Sequence, residues 1–230
     1  MLTQRSEEKE LLDLGSAYYT AEEFHHCQKM LFKVNRLFGF FNTTVRFLKQ
    51  FPKKSFVLDV GCGGGLFLLH LSNYFPAMRF LGIDISKEAI DIAKKEQKNY
   101  PNAAVLFQLE QQPTLSFPEN HVDIVLATLV CHHLSDSELI EFLRLSLNIA
   151  KKAVLINDLQ RSGLSQFFYR FISPILFRNR LITHDGLISI RRGFKRKEWK
   201  LFLEKAGIKH YKITWCFPFR WRVVLWKESL

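Results

Sequence analysis

Phe56-Val57-Leu58-Asp59-Val60-Gly61-Cys62-Gly63-Gly64-Gly65 is the stretch on which the reading of this chain turns. An apolar run rich in Phe and Val reads as a buried strand, the glycines as a sharp turn, and Leu66 to Ser72 as the helix that follows. A second strand, Leu81-Gly82-Ile83-Asp84, ends in an acid. Clustered glycines let the backbone approach a ligand where a Cβ would clash. A carboxylate at a strand end about 20 residues further on can accept two hydroxyls of a ribose. Together these features predict the opening of a nucleotide-binding α/β sheet, with a nucleoside in its crevice.

The spacing of the glycines narrows the ligand. Counted from Gly61, the dinucleotide fingerprint G-x-G-x-x-G needs glycine at position 66, where Leu66 stands, and the Gly-Lys-Ser/Thr ending of a P-loop is missing. What remains is an acid, Asp59, two residues before a G-x-G-x-G turn. This pattern resembles the first motif of class I S-adenosylmethionine-dependent methyltransferases, and Asp84 sits where that family's ribose acid sits. The resemblance implies an α/β fold with a seven-stranded, Rossmann-like sheet and S-adenosylmethionine as cofactor. That ligand carries an ammonium, a carboxylate and a sulfonium but no phosphate, so a carboxylate beside the glycine loop suits it.

Beyond the second strand, Ser86 is a plausible N-cap for a helix through Lys95, and Ala104 to Phe107 reads as the third strand. Glu110 to Pro118 then fills the place where such methyltransferases carry Gly-Asp-Ala, with Gln111 on the acid's position; its amide oxygen can accept the same adenine N6 hydrogen bond. Val122 to Leu134 resembles the fourth motif, which implies that Ala127 and Thr128 lie at the carboxyl end of a strand against the methionine arm. The cofactor contacts implied are thus Asp59, Gly61, Cys62, Gly63, Gly65, Asp84, Ile85, Gln111, Ala127 and Thr128. His132 and His133 follow, two adjacent imidazoles that cannot both face the pocket; a loop-fixing role and a catalytic one both stay open.

A chain of 230 residues, 47% hydrophobic and 24% charged, is enough for one α/β domain with additions. The expected parts are an N-terminal helical cap (1–52), the cofactor-binding core (53–159), a lid insertion after the fifth strand (160–195) and a C-terminal helix with a β-hairpin (196–230). No signal-like apolar core or long apolar span is seen, so the expected location is cytoplasmic. Cys27, Cys62, Cys131 and Cys216 lack metal-ligand or disulfide spacing and read as reduced thiols, and no metal is expected. A net charge of +11 raises nucleic acid or an anionic membrane surface as partners; the densest run, Arg191 to Lys197, reads as a solvated helix start.

Within the cap, apolar spacing from Leu31 to Leu48 predicts two helices joined near Gly39, lying across the pocket mouth or completing the core. Within the lid, Phe167, Phe168, Phe171, Ile172, Ile175 and Leu176 fall at helical spacing among arginines, with an interruption expected at Pro174. This stripe suits a hydrophobic acceptor, a membrane-surface contact or ordinary core. Thr183-His184-Asp185-Gly186 reads either as a turn or as an imidazole held in one tautomer by its neighbouring carboxylate. Glu10-Leu11-Leu12-Asp13, Val34 to Leu37, Asp158 to Arg161 and His184 to Gly186 with Phe194 further resemble a bacterial branch of small-molecule methyltransferases akin to the quinone methyltransferases. The expected reaction is methyl transfer to a phenolic or quinone-like acceptor at oxygen, with His184 and Asp185, then His133, as candidate base residues. An RNA methyltransferase and a non-catalytic binding module are the alternatives.

Overall fold

The computed structural model describes residues 4–15, 17–110 and 115–227. Two N-terminal helices, α1 (Ala21–Leu37) and α2 (Phe40–Leu48), precede an alternating core. That core runs β1 (Phe56–Val60), α3 (Leu66–Tyr74), β2 (Arg79–Asp84), α4 (Lys87–Gln97), β3 (Val105–Leu109), β4 (Val122–Thr128), α5 (Asp136–Ile149) and β5 (Ala150–Leu159). A helical hairpin, α6 (Gly163–Phe177) and α7 (Arg180–Arg192), leads to α8 (Arg196–Lys205) and to strands β6 (Tyr211–Cys216) and β7 (Arg220–Trp226).

Among the described residues the strands form one seven-stranded sheet in the order β3-β2-β1-β4-β5-β7-β6. β1 to β5 are parallel, and β7 runs antiparallel to both β5 and β6. The chain changes direction across the sheet between β1 and β4, and ligands of open α/β sheets bind outside the carboxyl ends of strands at such a point. Buried apolar residues alternate between the two faces, as a period of two demands: Leu58, Val125 and Val154 pack on one side, Val57, Ile124 and Leu155 on the other. Helix starts are set by side-chain caps. Thr20 and Ser135 form capping boxes with Glu23 and Glu138, and Ser86 accepts the Ala89 N–H.

The N-terminal extension serves both purposes expected of it. Phe41, Val45, Phe47 and Leu48 of α2 enter the core beneath the sheet, whereas α1 lies over the glycine turn, where Gln28 Oε1 accepts the Gly64 N–H at 3.1 Å. The four cysteines are free thiols, three buried and Cys216 partly so.

The segment after β5 departs from expectation. α6 continues through Pro174, and Thr183 to Gly186 lies inside α7 rather than in a turn. Gly186 stands there because the helices touch: a Cβ would lie 2.1 Å from Tyr169 Oη, whose hydroxyl donates to the Ile182 carbonyl at 2.6 Å. Nor is the basic run from Arg191 to Lys197 a uniformly solvated helix start. Arg192, Gly193 and Phe194 are buried, and Arg192 Nε donates to the His132 carbonyl at 2.8 Å. Arg161 and Arg220 are buried as well, so the net charge overstates what is free to meet phosphates.

Candidate functional site

A cavity of about 890 Å³ opens at the carboxyl ends of β1, β2 and β4 and is walled on its outer side by α1 and the segment before it. Its floor is the glycine turn. Gly61 and Cys62 donate their N–H groups to the Ile83 carbonyl at 2.8 and 3.0 Å, which binds the turn to β2. Gly61 and Gly65 have φ of +68° and +74°. Side chains there would also collide: a Cβ on Gly61 would lie 2.5 Å from Val130 Cγ2, and one on Gly65 2.6 Å from the Phe107 ring.

Asp84 ends β2 beside this turn. Its Oδ2 accepts the Gly63 N–H at 2.8 Å and its Oδ1 the Ser86 N–H at 2.9 Å. A carboxylate has about four acceptor sites, so both oxygens retain a lone pair for the hydroxyls of a ribose. Burial pushes the Asp84 carboxyl up, against the pull of those two N–H groups. Asp59 is buried to 3% exposure and lines the cavity, and its carboxyl makes no hydrogen bond among the described residues. Burial, reinforced by the Asp84 carboxylate, raises it to about 8. The Thr128 hydroxyl is likewise buried and unpartnered on the cavity wall. A buried acid with no cation beside it is set to receive one, and the sulfonium nucleoside expected from the sequence brings an ammonium and a sulfonium. The residues present fit that group.

The opposite wall is a cluster of imidazoles and acids. His133 lines the cavity with its Nδ1 2.7 Å from Asp13 Oδ1 and its Nε2 3.9 Å from Glu10 Oε2. Behind it, His132 is buried to 2% exposure, with Nδ1 2.7 Å from Asp158 Oδ1 and Nε2 3.6 Å from Glu10 Oε1. Burial opposes its protonation, but Asp158 and then Glu10 overcome this and raise His132 to about 9. Burial also pushes against ionisation of Asp13, Asp158 and Glu10, yet the imidazoles, and for Asp13 also Arg192, hold all three below their ordinary values. Ser189 donates to Glu10 Oε1 at 2.7 Å, and Arg192 reaches Asp13 Oδ2 at 2.6 Å. The ligand atoms of Glu10, His132 and His133 lie within 4.8 Å of one another, so a divalent ion would be within reach of all three. It would have to displace the proton that His132 holds between two acids.

Of the residues anticipated from sequence, Asp59, Gly61, Cys62, Gly63, Gly65, Asp84, Ile85, Thr128 and His133 line this one cavity. Ala127 does not: it is fully buried in the core, because the alternation along β4 turns it away from the cavity that Thr128 faces. Gln111 lies outside the described residues. His184 and Asp185 are paired at 2.8 Å but do not line the cavity. The Asp185 oxygens instead accept the Leu11 and Leu12 N–H groups at 2.9 and 3.1 Å, tying the N-terminal segment to α7, and His184 is exposed. Asp13 and Arg192 were not anticipated as site residues. The Glu10 to Asp13 stretch was visible only as part of a looser resemblance, without a role.

Residues 57–152 match a family model described as a methyltransferase domain. An uncharacterized methyltransferase of Bacillus subtilis, YcgJ, is 34% identical over 82 residues, 35% of this chain and 31% of that protein. The chain thus spans about a third of the curated relatives it matches. Among solved structures, an S-adenosylmethionine-dependent methyltransferase from Aquifex aeolicus superposes with a TM-score of 0.61 at 23% identity, covering 80% of this chain and 88% of that one. Magnesium protoporphyrin IX methyltransferase from Synechocystis, with bound S-adenosylmethionine, gives 0.65 at 13% identity over 97% of this chain and all of that one.

Proposed function

We propose, for a chain whose core is a class I methyltransferase domain, that it transfers a methyl group from S-adenosylmethionine to the oxygen of a small aromatic or quinone-like acceptor. The bound donor supplies an electrophilic methyl group. Asp84 takes the ribose hydroxyls, the turn from Gly61 to Gly65 lets the donor lie against backbone, and Asp59 with Thr128 receives the cationic arm. His133 is the base. With Nδ1–H held on Asp13, its Nε2 lone pair is the free one, and the imidazolium formed on proton uptake sits between Asp13 and Glu10. A phenol with pKa near ~10 benefits from such a base at neutral pH. Beyond this proton transfer, the protein aligns the two reactants for in-line displacement and keeps water out.

The observation that carries this reading is the pairing, in one cavity, of an unpartnered buried acid at the glycine turn with an acid-oriented imidazole on the opposite wall. The test is incubation with radiolabelled donor and a panel of phenols, hydroquinones and total RNA. Label in the phenolic fraction, lost in His133→Asn, is the expected result. Label in RNA, or transfer to phenols undiminished in His133→Asn, overturns it.

A further inference from the structure

The outer face of α6 is an apolar stripe with nothing packed on it among the described residues. Leu164, Phe167, Phe168, Phe171, Ile172, Ile175 and Leu176 recur at helical spacing, and each is at least 45% exposed, with Ile175 at 78%. The opposite face is pinned. Ser165 and Ser173 are buried, and Tyr169 seats its hydroxyl over Gly186 of α7. The stripe therefore faces outward permanently, since rotating it inward would break the α6–α7 contact. Exposed apolar surface of this extent marks an interaction site. No residue of α6 lines the cavity, so the stripe is not a wall for the acceptor.

Charge selects the occupant. From Leu159 to His184 the chain has no Asp or Glu, while Arg170 and Arg178 are exposed along the helix. At the start of α6 the β6–β7 hairpin adds two more exposed aromatic residues, Trp215 and Phe217. Trp215 is held there by its Nε1–H to Gln160 Oε1 at 2.8 Å. Pairing this face with a second copy across a two-fold would set the same arginines near each other with no acid to offset them. An anionic bilayer offers both an apolar layer and the opposite charge. The helix has 15 residues, too short to cross a bilayer, and among the described residues no helix is long and apolar enough to do so. We infer that α6 lies in the interface of an anionic phospholipid membrane, with its phenylalanine stripe in the acyl boundary and its arginines at the headgroups.

This inference is independent of the reaction proposed above. The test is flotation of the full chain with vesicles of phosphatidylcholine alone or with 30% phosphatidylserine added. Expected is flotation with the anionic vesicles, at least about tenfold weaker with neutral ones and weakened by salt. The triple variant Phe167→Ser, Phe171→Ser, Ile175→Ser should lose flotation, and Arg170→Glu with Arg178→Glu should lose it in part. Because all five positions are exposed, the variants should keep the wild-type melting temperature, which separates lost docking from lost folding. Absence of flotation by wild type overturns the inference. So does a dimer in sedimentation velocity that the triple variant dissolves, or flotation unchanged by the triple variant.

Discussion

At the glycine turn, the bonds that tie the turn to β2 lie within one strand–turn–helix–strand unit: Gly63 meets the Asp84 carboxylate across 21 positions and Gly61 meets the adjacent Ile83 carbonyl, while Gln28 of α1 adds one bond from outside. On the opposite wall, Glu10 meets Ser189 across 179 positions and His132 meets Asp158 across 26. The first region is a local backbone device that leaves one acid unpartnered. The second is assembled from the N-terminal segment, the loop after β4, the end of β5 and α7, and its buried charges satisfy one another. The difference is electrostatic: the turn leaves a buried acid with no cation beside it, whereas the opposite wall pairs its buried charges with one another.

The largest expected effect lies in the second region. Asp158→Asn removes one partner of a fully buried pair and should destabilise the protein by about 3 to 5 kcal/mol in urea unfolding near pH 6. His132 is held at about 9, above the roughly 6.5 of a free imidazole, so its contribution is complete below pH 6.5 and disappears as pH rises to 9. Asp59, at about 8, gives a loss in the same direction at lower pH, between 3.8 and 8. The difference between wild type and Asp158→Asn cancels that common part, and should therefore shrink from pH 6.5 to pH 9. A constant difference would mean that His132 is not charged by its neighbours.

Next in size, His133→Asn should lower kcat by about 10² to 10³ with donor affinity unchanged, as befits a base on the acceptor side. His184→Asn should leave kcat within about twofold, because that imidazole does not line the cavity. The reverse ranking would return the base role to the His184–Asp185 pair and break the division between the two walls.

Asp84→Asn should weaken donor binding about thirtyfold or more in calorimetry, the cost of exchanging charged for neutral acceptors at two hydroxyls. Unchanged affinity would remove the donor from this cavity.

The smallest signal sharpens the contrast most. Burial, and then the Asp84 carboxylate, raise Asp59 to about 8, so arrival of the donor's ammonium at pH 7 should release protons. Binding enthalpy at pH 7 should then vary with the ionisation enthalpy of the buffer, and Asp59→Asn should remove the variation.

The sheet, its glycine turn and its strand-end acid were readable in the chain because their determinants are local: strand period, glycine spacing, and an acid at a fixed interval. Ala127 and Thr128 show where that stops. The sequence resemblance places both at the cavity, and only the pleat of β4 in the assembled sheet decides which one faces it. Gly186 shows the same limit, since glycine signals a turn and a close helix contact alike, and nothing nearby in sequence announces Tyr169.

By itself, then, the sequence determined the α/β strand, glycine turn, helix and strand unit and the residues of its turn, since backbone geometry there follows from the residues in hand. Only the tertiary structure decided that the second histidine of the pair faces the cavity with Asp13 beside it, and that Asp185 is a strut for the N-terminal segment. Those roles depend on how chain segments up to 179 positions apart fold against each other. Such contacts are chosen by packing and charge satisfaction across the whole molecule, which no short window of sequence contains.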